Sequence, residues 1–580
     1  MVPRNNPQIF WSRGPWTKDE SPSMVANFLV PLKTQIQKAR ESRLYARFAA
    51  HPTLSWLPAV LFSAVCIFVF LTARFSFDFF RHNDYDVLPY AKQYMNPDWL
   101  PGDWYLNLKI GYRYAFNTVA GFLSDHLSFH LTKTVGRTLV AGLMALSFTA
   151  LQRSVRMYAL LILPVIAYFV QEQSFFSDES FLLRFEAKCF AYGFALLSLA
   201  SLMKNRYKLM LASLGAALSF HVLIGIYAGF CTLWVVVIEG EHRRNWKILL
   251  KNSYIFFLAG FLGVYAVIVQ LFSSSALTSG DIATASHIYV TMRVPHHVYP
   301  PSFGPIEIWG VALLKTCIPL VIPLFLGKNP LRQFAIYILS SLALVGIGLA
   351  IHHFGKIPLL KYYWFRYPAT MIPLGYFVAI ASMASMAYRR ILTYSMGSAK
   401  ILKGSSIVVT AVLTIALVGL NARYLHRPQF VTVPKPIPGP TLGEIWQTPI
   451  TTEVSHPLRD WIQNNTSKDD IFLVDPQMDS FYVVAERARV VSFKHSPQSE
   501  KDILEWYRRL LDISGLQSID KKGFACGPLL RRGYCQLSEN QIAGLAEKYN
   551  FKYVIHRGCR KKLNFPVALR KWRYTIYRID

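Results

Sequence analysis

Between residues 54 and 422 the chain reads as a series of apolar stretches, many about 17–22 residues long, separated by mostly short polar loops. A helix needs a run of that length to cross a hydrocarbon core about 30 Å thick. A buried soluble core breaks its apolar runs more often. Charged residues make up only 16% of the 580, where a soluble chain carries about a quarter, and they are dense before residue 50 and after residue 440. The sequence therefore predicts an α-helical polytopic membrane protein of about eleven transmembrane helices. The spans fall near 54–74, 136–152, 157–171, 188–203, 208–221, 223–239, 252–273, 306–326, 333–351, 368–388 and 405–422. The stretch over 208–239 is interrupted only at Ser219-Phe220-His221, and reads as two short helices or as one long tilted helix.

The formal net charge is +29. In a soluble chain that excess would suggest nucleic acid. Here the basic residues sit in loops between apolar runs, so they serve topology and attraction to anionic membrane lipids, and nucleic-acid binding is excluded. Arg40, Arg43 and Arg47 precede the first span, which makes residues 1–53 a cytoplasmic leader followed by an uncleaved first helix. Alternating from there, Arg153 and Arg156, Lys204 and Arg206, Arg243 and Arg244, Lys328 and Arg332, and Arg389 and Arg390 all fall on the cytoplasmic side. The outer loops are about 75–135, 171–187, 274–305 and 352–367.

After the membrane region (54–422) comes a linker (423–450) containing Pro428, Pro434, Pro436, Pro438 and Pro440, a stiff spacer. Residues 451–580 then read as a small extracytoplasmic α/β domain. Strands are expected at 471–474, 553–555 and 574–577, a helix at 499–513, and a second helix opened by a Ser538/Gln541 capping box. Cys66, Cys189, Cys231 and Cys317 lie in apolar spans. Of the three cysteines in the final domain, Cys526 and Cys535 can close a small loop and leave Cys559 over, or all three stay reduced. No CxxC spacing points to zinc.

The outer loops hold the unusual residues. Asp84-Tyr85-Asp86 follows the first span. Two carboxylates so close suit a shared Mg²⁺ or Mn²⁺, a general base with a raised pKa, or plain solvated surface. Asp98, Asp103, Trp99 and Trp104 follow, offering sugar-like ligands an aromatic face and acceptors, or forming an interfacial belt. The second loop carries Glu172, Asp178, Glu179 and Arg184, then Glu186 and Lys188 at the edge of a span. The third has Arg293, His296 and His297, and the fourth has His352, His353, Lys361 and Arg366. Guanidinium groups here suit an anionic headgroup, or snorkel at the interface. His221, in an apolar run, reads first as a satisfied core histidine.

With these features the chain resembles the GT-C superfamily of membrane glycosyltransferases. The resemblance rests on the multi-span architecture, Asp84-Tyr85-Asp86 in the first outer loop, acidic residues in the second and a C-terminal extracytoplasmic domain. The chain is also similar to bacterial membrane proteins with segments like Phe185-Glu-Ala-Lys-Cys-Phe-Ala-Tyr192, Arg293-Val-Pro-His-His297 and Tyr363-Trp-Phe-Arg366. No WWD-type signature occurs in the final domain, which argues against oligosaccharide transfer to asparagine. The resemblance implies a protein of the bacterial inner (plasma) membrane that moves a sugar from a polyprenyl-phosphate donor, with inversion, to a glycan, lipid or protein acceptor. Asp84 or Asp86 would be the base, with an optional divalent cation. Arg293, Arg366 or Lys361 would stabilise the phosphate, and Asp103, Trp104, Glu186, Lys188, His296 and His297 would contact substrate. A transporter or flippase for a lipid-linked or anionic substrate, and a non-catalytic envelope scaffold, are the competing readings. Charges clustered at one face rather than mid-membrane favour surface chemistry. A reporter fused after Asp580 is expected to read out as extracytoplasmic, and a cytoplasmic signal would put the span count wrong by one.

Overall fold

The structure, a computed structural model, describes residues 57–75, 83–108, 112–158, 161–171, 173–182, 184–272, 277–394 and 458–579. The expected cytoplasmic leader, the eleventh expected span (405–422) and the proline-rich linker lie outside the described residues. The chain divides into Met1–Phe62, of which the start of the first helix is described, and Ser63–Asp580.

Helices occupy the other ten expected positions. They are α1 (Leu57–Phe75), then α2 (Asp84–Met95) and α3 (Tyr114–His126) in the first outer loop, α4 (Phe129–Ser154), α5 (Ile162–Gln171), α6 (Ala187–Leu202), α7 (Tyr207–Phe220) and α8 (Val222–Ile238). After these come α9 (Ser253–Ala259) and α10 (Phe261–Phe272), α11 (Ser279–His287) in the third outer loop, α12 (Ile306–Val321), α13 (Pro330–Ser340) and α14 (Leu342–His353), and α15 (Arg366–Tyr394).

Among the described residues, four helical stretches are long and apolar enough to cross a membrane: Phe129–Ser154, Ile306–Phe325, Pro330–His353 and Arg366–Arg390. The α9–α10 pair, bent by 71°, makes a fifth if it is one span. Among the described residues, the other expected positions hold shorter apolar helices, Val60–Thr72, Ala187–Leu202, Tyr207–Phe220 and Val222–Ile238 among them, so helix length supports four or five of the eleven expected spans. Residues 208–239 form two helices, because the backbone at His221 is extended (φ −151°, ψ 104°) and its Nδ1 accepts from the Ile224 amide to cap α8. α4 begins before the expected 136 because Lys133 and Arg137 are buried inside the fold, so its polar first turns extend the helix.

The loops sort to two ends. At one end, Arg389 stacks on Tyr158 (4.7 Å), Arg332 pairs with Glu239 (2.7 Å), and His242 bridges Tyr207 and Gln333. These are the loops that the charge count puts on one side. At the other end the four loops of opposite assignment meet one another and the C-terminal domain. Close approach there depends on small residues: a Cβ on Gly121 of α3 would sit 2.4 Å from the Ala91 carbonyl of α2.

The C-terminal domain contains α16 (Arg459–Asn465), β1 (Ile471–Val474), α17 (Phe481–Ala485), β2 (Ala488–Arg489), α18 (Glu500–Ser514), α19 (Cys526–Tyr534), α20 (Glu539–Tyr549), β3 (Tyr553–Arg557), β4 (Val567–Lys571) and β5 (Tyr574–Arg578). Ser538 and Gln541 form the expected capping box of α20. The sheet order is β2-β1-β3-β5-β4, parallel for β2, β1 and β3 and antiparallel for β5 and β4. Phe472, Val474, Ile555 and Ile576 bury one sheet face against α16 and α17. The disulfide joins Cys535 to Cys559, not Cys526 to Cys535. Cys526 sits at the start of α19 with Cys535 just past its end, so the helix holds them apart, and the Cys526 thiol is buried and free.

Asp103 fastens this domain to the first outer loop. Its carboxylate accepts from the Leu106 amide (2.8 Å), the Arg489 amide (3.0 Å) and the Tyr482 hydroxyl (3.1 Å). At 1% exposure it presents no free face to a substrate, contrary to the expected role. Burial raises its pKa, and the two amides oppose that rise. Removing the carboxylate leaves buried donors unmatched. Asp103→Ala is expected to cost about 3 kcal/mol and to open the 458–579 domain to limited proteolysis; unchanged thermal unfolding and cleavage would refute the latch.

Candidate functional site

The end where the outer loops meet is built on one buried carboxylate. Glu179 in the second loop is 2% exposed. Its Oε2 takes a hydrogen bond from Arg366 Nε at 2.7 Å, and its Oε1 is bound by Lys188. Burial alone would push the Glu179 pKa up. Arg366 and Lys188 outweigh it and hold the carboxyl far below the usual range. Next to it, Glu186 accepts from Asn83 Nδ2 (3.0 Å) and pairs with Lys188 (3.4 Å) and Arg184 (3.5 Å). Burial again opposes, but Lys188 and Arg184 bring its pKa down to about 2. Lys494 of the C-terminal domain donates to Asn83 Oδ1 (2.6 Å), and its own carbonyl accepts from Arg293 (2.7 Å).

Local conformation places these groups. A π-helical turn over Ile288–Arg293 follows α11 and directs Arg293 toward the domain. Tyr363 has φ +57°, a strained region for a non-glycine residue, and its ring lies 3.8 Å under the Arg366 guanidinium. Arg113, at the start of α3, has φ +68°.

Asp84 and Asp86 part company. They occupy the first turn of α2, where carboxylates suit the helix dipole. Positions two apart on a helix point to different sides. Asp84 is 2% exposed and ion-paired with Arg137 of α4 at 2.6 Å. Asp86 is half-buried, accepts from the Tyr105 hydroxyl (2.8 Å), and makes no ion pair within 4 Å among the described residues. The two carboxylates therefore do not fit a shared Mg²⁺ or Mn²⁺. Among the described residues no cluster of three or more His, Cys, Asp or Glu is placed to hold a metal.

Asp86, Glu186, Lys188, Arg293 and Arg366 are thus brought into one neighbourhood. Other expected site residues reach the same face as structural contacts. Lys361 pairs with Glu500 of α18. Trp104 lies 4.5 Å from the Arg509 guanidinium. His297 Nδ1 donates to the Ser177 carbonyl (2.8 Å), and Ser177 Oγ returns a bond to the His297 carbonyl. His296 stacks on Phe524, and burial lowers its pKa to about 4, so both histidines are neutral at pH 7.

Sequence reading did not single out four important residues as site members. Glu179 looked like one loop acid among several. Arg137 had a signal, a cation at the edge of an apolar run. Lys494 sits in another domain and had none. Arg113 is 9% exposed, and its Nε has no hydrogen-bond partner. Its guanidinium lies near the rings of Tyr112 (4.6 Å) and Tyr90 (5.9 Å) and feels the electrostatic pull of Asp86 and nearby tyrosines.

Among family models, a domain of unknown function (DUF6798) matches residues 455–513. That stretch carries Tyr482, Arg489 and Lys494, the segment that meets the first outer loop. No curated protein matches the chain.

Glu186 has a folded pKa below its ordinary 4.5, so its contribution to stability is present above pH 4.5 and is lost as pH falls toward 2. The thermal midpoint is expected to drop through that window, less steeply in Glu186→Gln. Parallel curves would show that the pairing contributes nothing.

Proposed function

We propose that the chain is an integral membrane glycosyltransferase of the GT-C type, moving a sugar from a polyprenyl-phosphate donor to an extracytoplasmic glycan, lipid or protein acceptor. Helices long and apolar enough to cross a membrane support the membrane setting. The Cys535–Cys559 disulfide suits an oxidising compartment for the final domain.

The observation that carries the reading is charge. Six cations, Arg113, Arg184, Lys188, Arg293, Arg366 and Lys494, gather with five carboxylates, Asp86, Glu179, Glu186, Asp178 and Asp479. Most of these cations are committed to ion pairs or carbonyls. Among the described residues Arg113 is not, and Asp86 makes no ion pair there either. A buried guanidinium whose Nε has no acceptor among the described residues suits a lipid phosphate, whose charge grows as the glycosidic bond breaks. Asp86 would take the proton from the acceptor hydroxyl as that oxygen attacks the anomeric carbon from the face opposite the phosphate. The phosphate is a good leaving group and needs no strong acid. Asp84 would hold α2 on α4 rather than take part in chemistry.

A broken helix pair is a transporter feature. The α9–α10 pair, however, contains no Asp, Glu, Lys, Arg or His to bind an ion, which favours the transferase.

The test is a density map of the protein in lipid with a polyprenyl-phosphate sugar added. The phosphate is expected beside Arg113 with the sugar facing Asp86. Asp86→Asn should retain the lipid and lose transfer by about 10²–10⁴-fold, whereas Asp84→Asn should mainly lower stability, by about 1–3 kcal/mol, through loss of the ion pair with Arg137. A site empty of lipid, or full activity in Asp86→Asn, would remove the transferase reading.

A further inference from the structure

A second charged group lies in the C-terminal domain, at the carboxyl ends of its parallel strands. β1 and β3 run side by side with Val474 opposite Ile555. β2 flanks β1 on the other side, so β1 is where the strand order reverses. Open α/β sheets leave a crevice beyond the strand ends at such a point. Asp475 is the first residue past β1 and is 1% exposed. Its Oδ1 accepts from the Gln477 amide (2.9 Å). Its Oδ2 makes no hydrogen bond, but lies 3.3 Å from Arg557 Nη2 and 3.6 Å from Arg531 Nε.

The two arginines arrive from different segments, Arg557 from the end of β3 and Arg531 from α19. The Cys535–Cys559 disulfide ties these segments together just beyond both arginines. Each side chain is about one-third exposed, at 35% for Arg531 and 27% for Arg557. Together they offer about ten N–H donors. The hydrogen bond they make among the described residues is from Arg531 Nη2 to the Arg557 carbonyl (2.7 Å). Arg532, Arg560 and Lys562, exposed, follow them within a few residues in sequence. The group is rich in donors, poor in acceptors and net positive, with two cations on one carboxylate.

We propose that Arg531 and Arg557 form a binding site for a phosphate-type oxyanion, with Asp475 aligning the two guanidinium forks. The planar forks match the paired oxygens of such a group. Both arginine side chains remain partly exposed while Asp475 is buried, so a ligand reaches them from solvent with Asp475 in place. This site is separate from the loop-facing one and stands whether or not the transferase reading does.

The test uses the full-length protein in a phosphate-free maltoside detergent, with inorganic phosphate titrated at constant ionic strength against chloride. Saturable heat of binding is expected, together with a rise of about 3 °C in the thermal midpoint at roughly ten times Kd. Arg557→Lys keeps the charge and the fold but loses the fork, and should weaken binding at least tenfold. Arg532→Gln, off the Asp475 carboxylate, should leave it unchanged. An equal shift from chloride, or undiminished binding in Arg557→Lys, would overturn the proposal by making the effect one of diffuse charge. In phosphatidylglycerol nanodiscs, loss of the response to free phosphate would assign the site to a lipid headgroup. Its persistence would assign it to a soluble phosphate compound.

Discussion

Glu179, held between Lys188 and Arg366, is the interaction on which the rest of the structure depends. Its carboxylate is fully enclosed. A charge removed from water costs several kcal/mol, and only near-complete pairing offsets that cost. The pairing partners stand on α6 and α15, far apart in sequence, so the second loop must close over both helix starts at once. Glu186 then binds Asn83 of the first loop, and Asn83 binds Lys494 of the C-terminal domain. One buried charge therefore leads by short contacts through two loops to a separate domain. A set of this kind is poor evidence of net stability, because an apolar replacement often does as well. Its effect here is on geometry, since it fixes which loop ends can meet.

Within that frame, charge separates residues that hold from residues that remain available. Asp84 with Arg137, Lys361 with Glu500 and Asp103 with its three donors are complete, and each joins two parts of the chain. Arg113 and Asp86 are not complete. They lie close enough to interact electrostatically, yet neither neutralises the other within an ion pair. The backbone strain at Arg113 and Tyr363 falls at the same place. Strain of this sort persists only where surrounding packing over-determines it, and it concentrates where a ligand or a reaction makes use of it.

The C-terminal domain contributes to both charged regions through different faces. Lys494 and the residues before it face the loops, and the stretch 455–513 is also the part that matches a family model. Asp475, Arg531 and Arg557 lie at the strand ends, braced by a disulfide. Arg489 connects the two: its backbone amide binds Asp103, and its guanidinium binds the Met478 and Asp475 carbonyls.

Periodicity and local chemistry by themselves determined where the elements lie. Helices occupy the described apolar runs, the capping box at Ser538 and Gln541 opens α20, and the short apolar runs of the final domain are strands. These signals act over a few residues, so they survive without knowledge of neighbours. The loop sorting was also legible, because basic residues mark one set of loops. Tertiary structure alone decided partnership. Asp84 and Asp86 are alike on paper, and only the arrival of Arg137 on one side of α2 makes the first structural and leaves the second available. Cys535 takes Cys559 rather than Cys526 because α19 sets the ends of its own segment apart while β3 carries Cys559 beside it. Glu179 and Arg113 carry no local signature, since what distinguishes them is how many opposite charges come within reach. That number is set by packing between segments distant in sequence, which spacing along the chain does not encode.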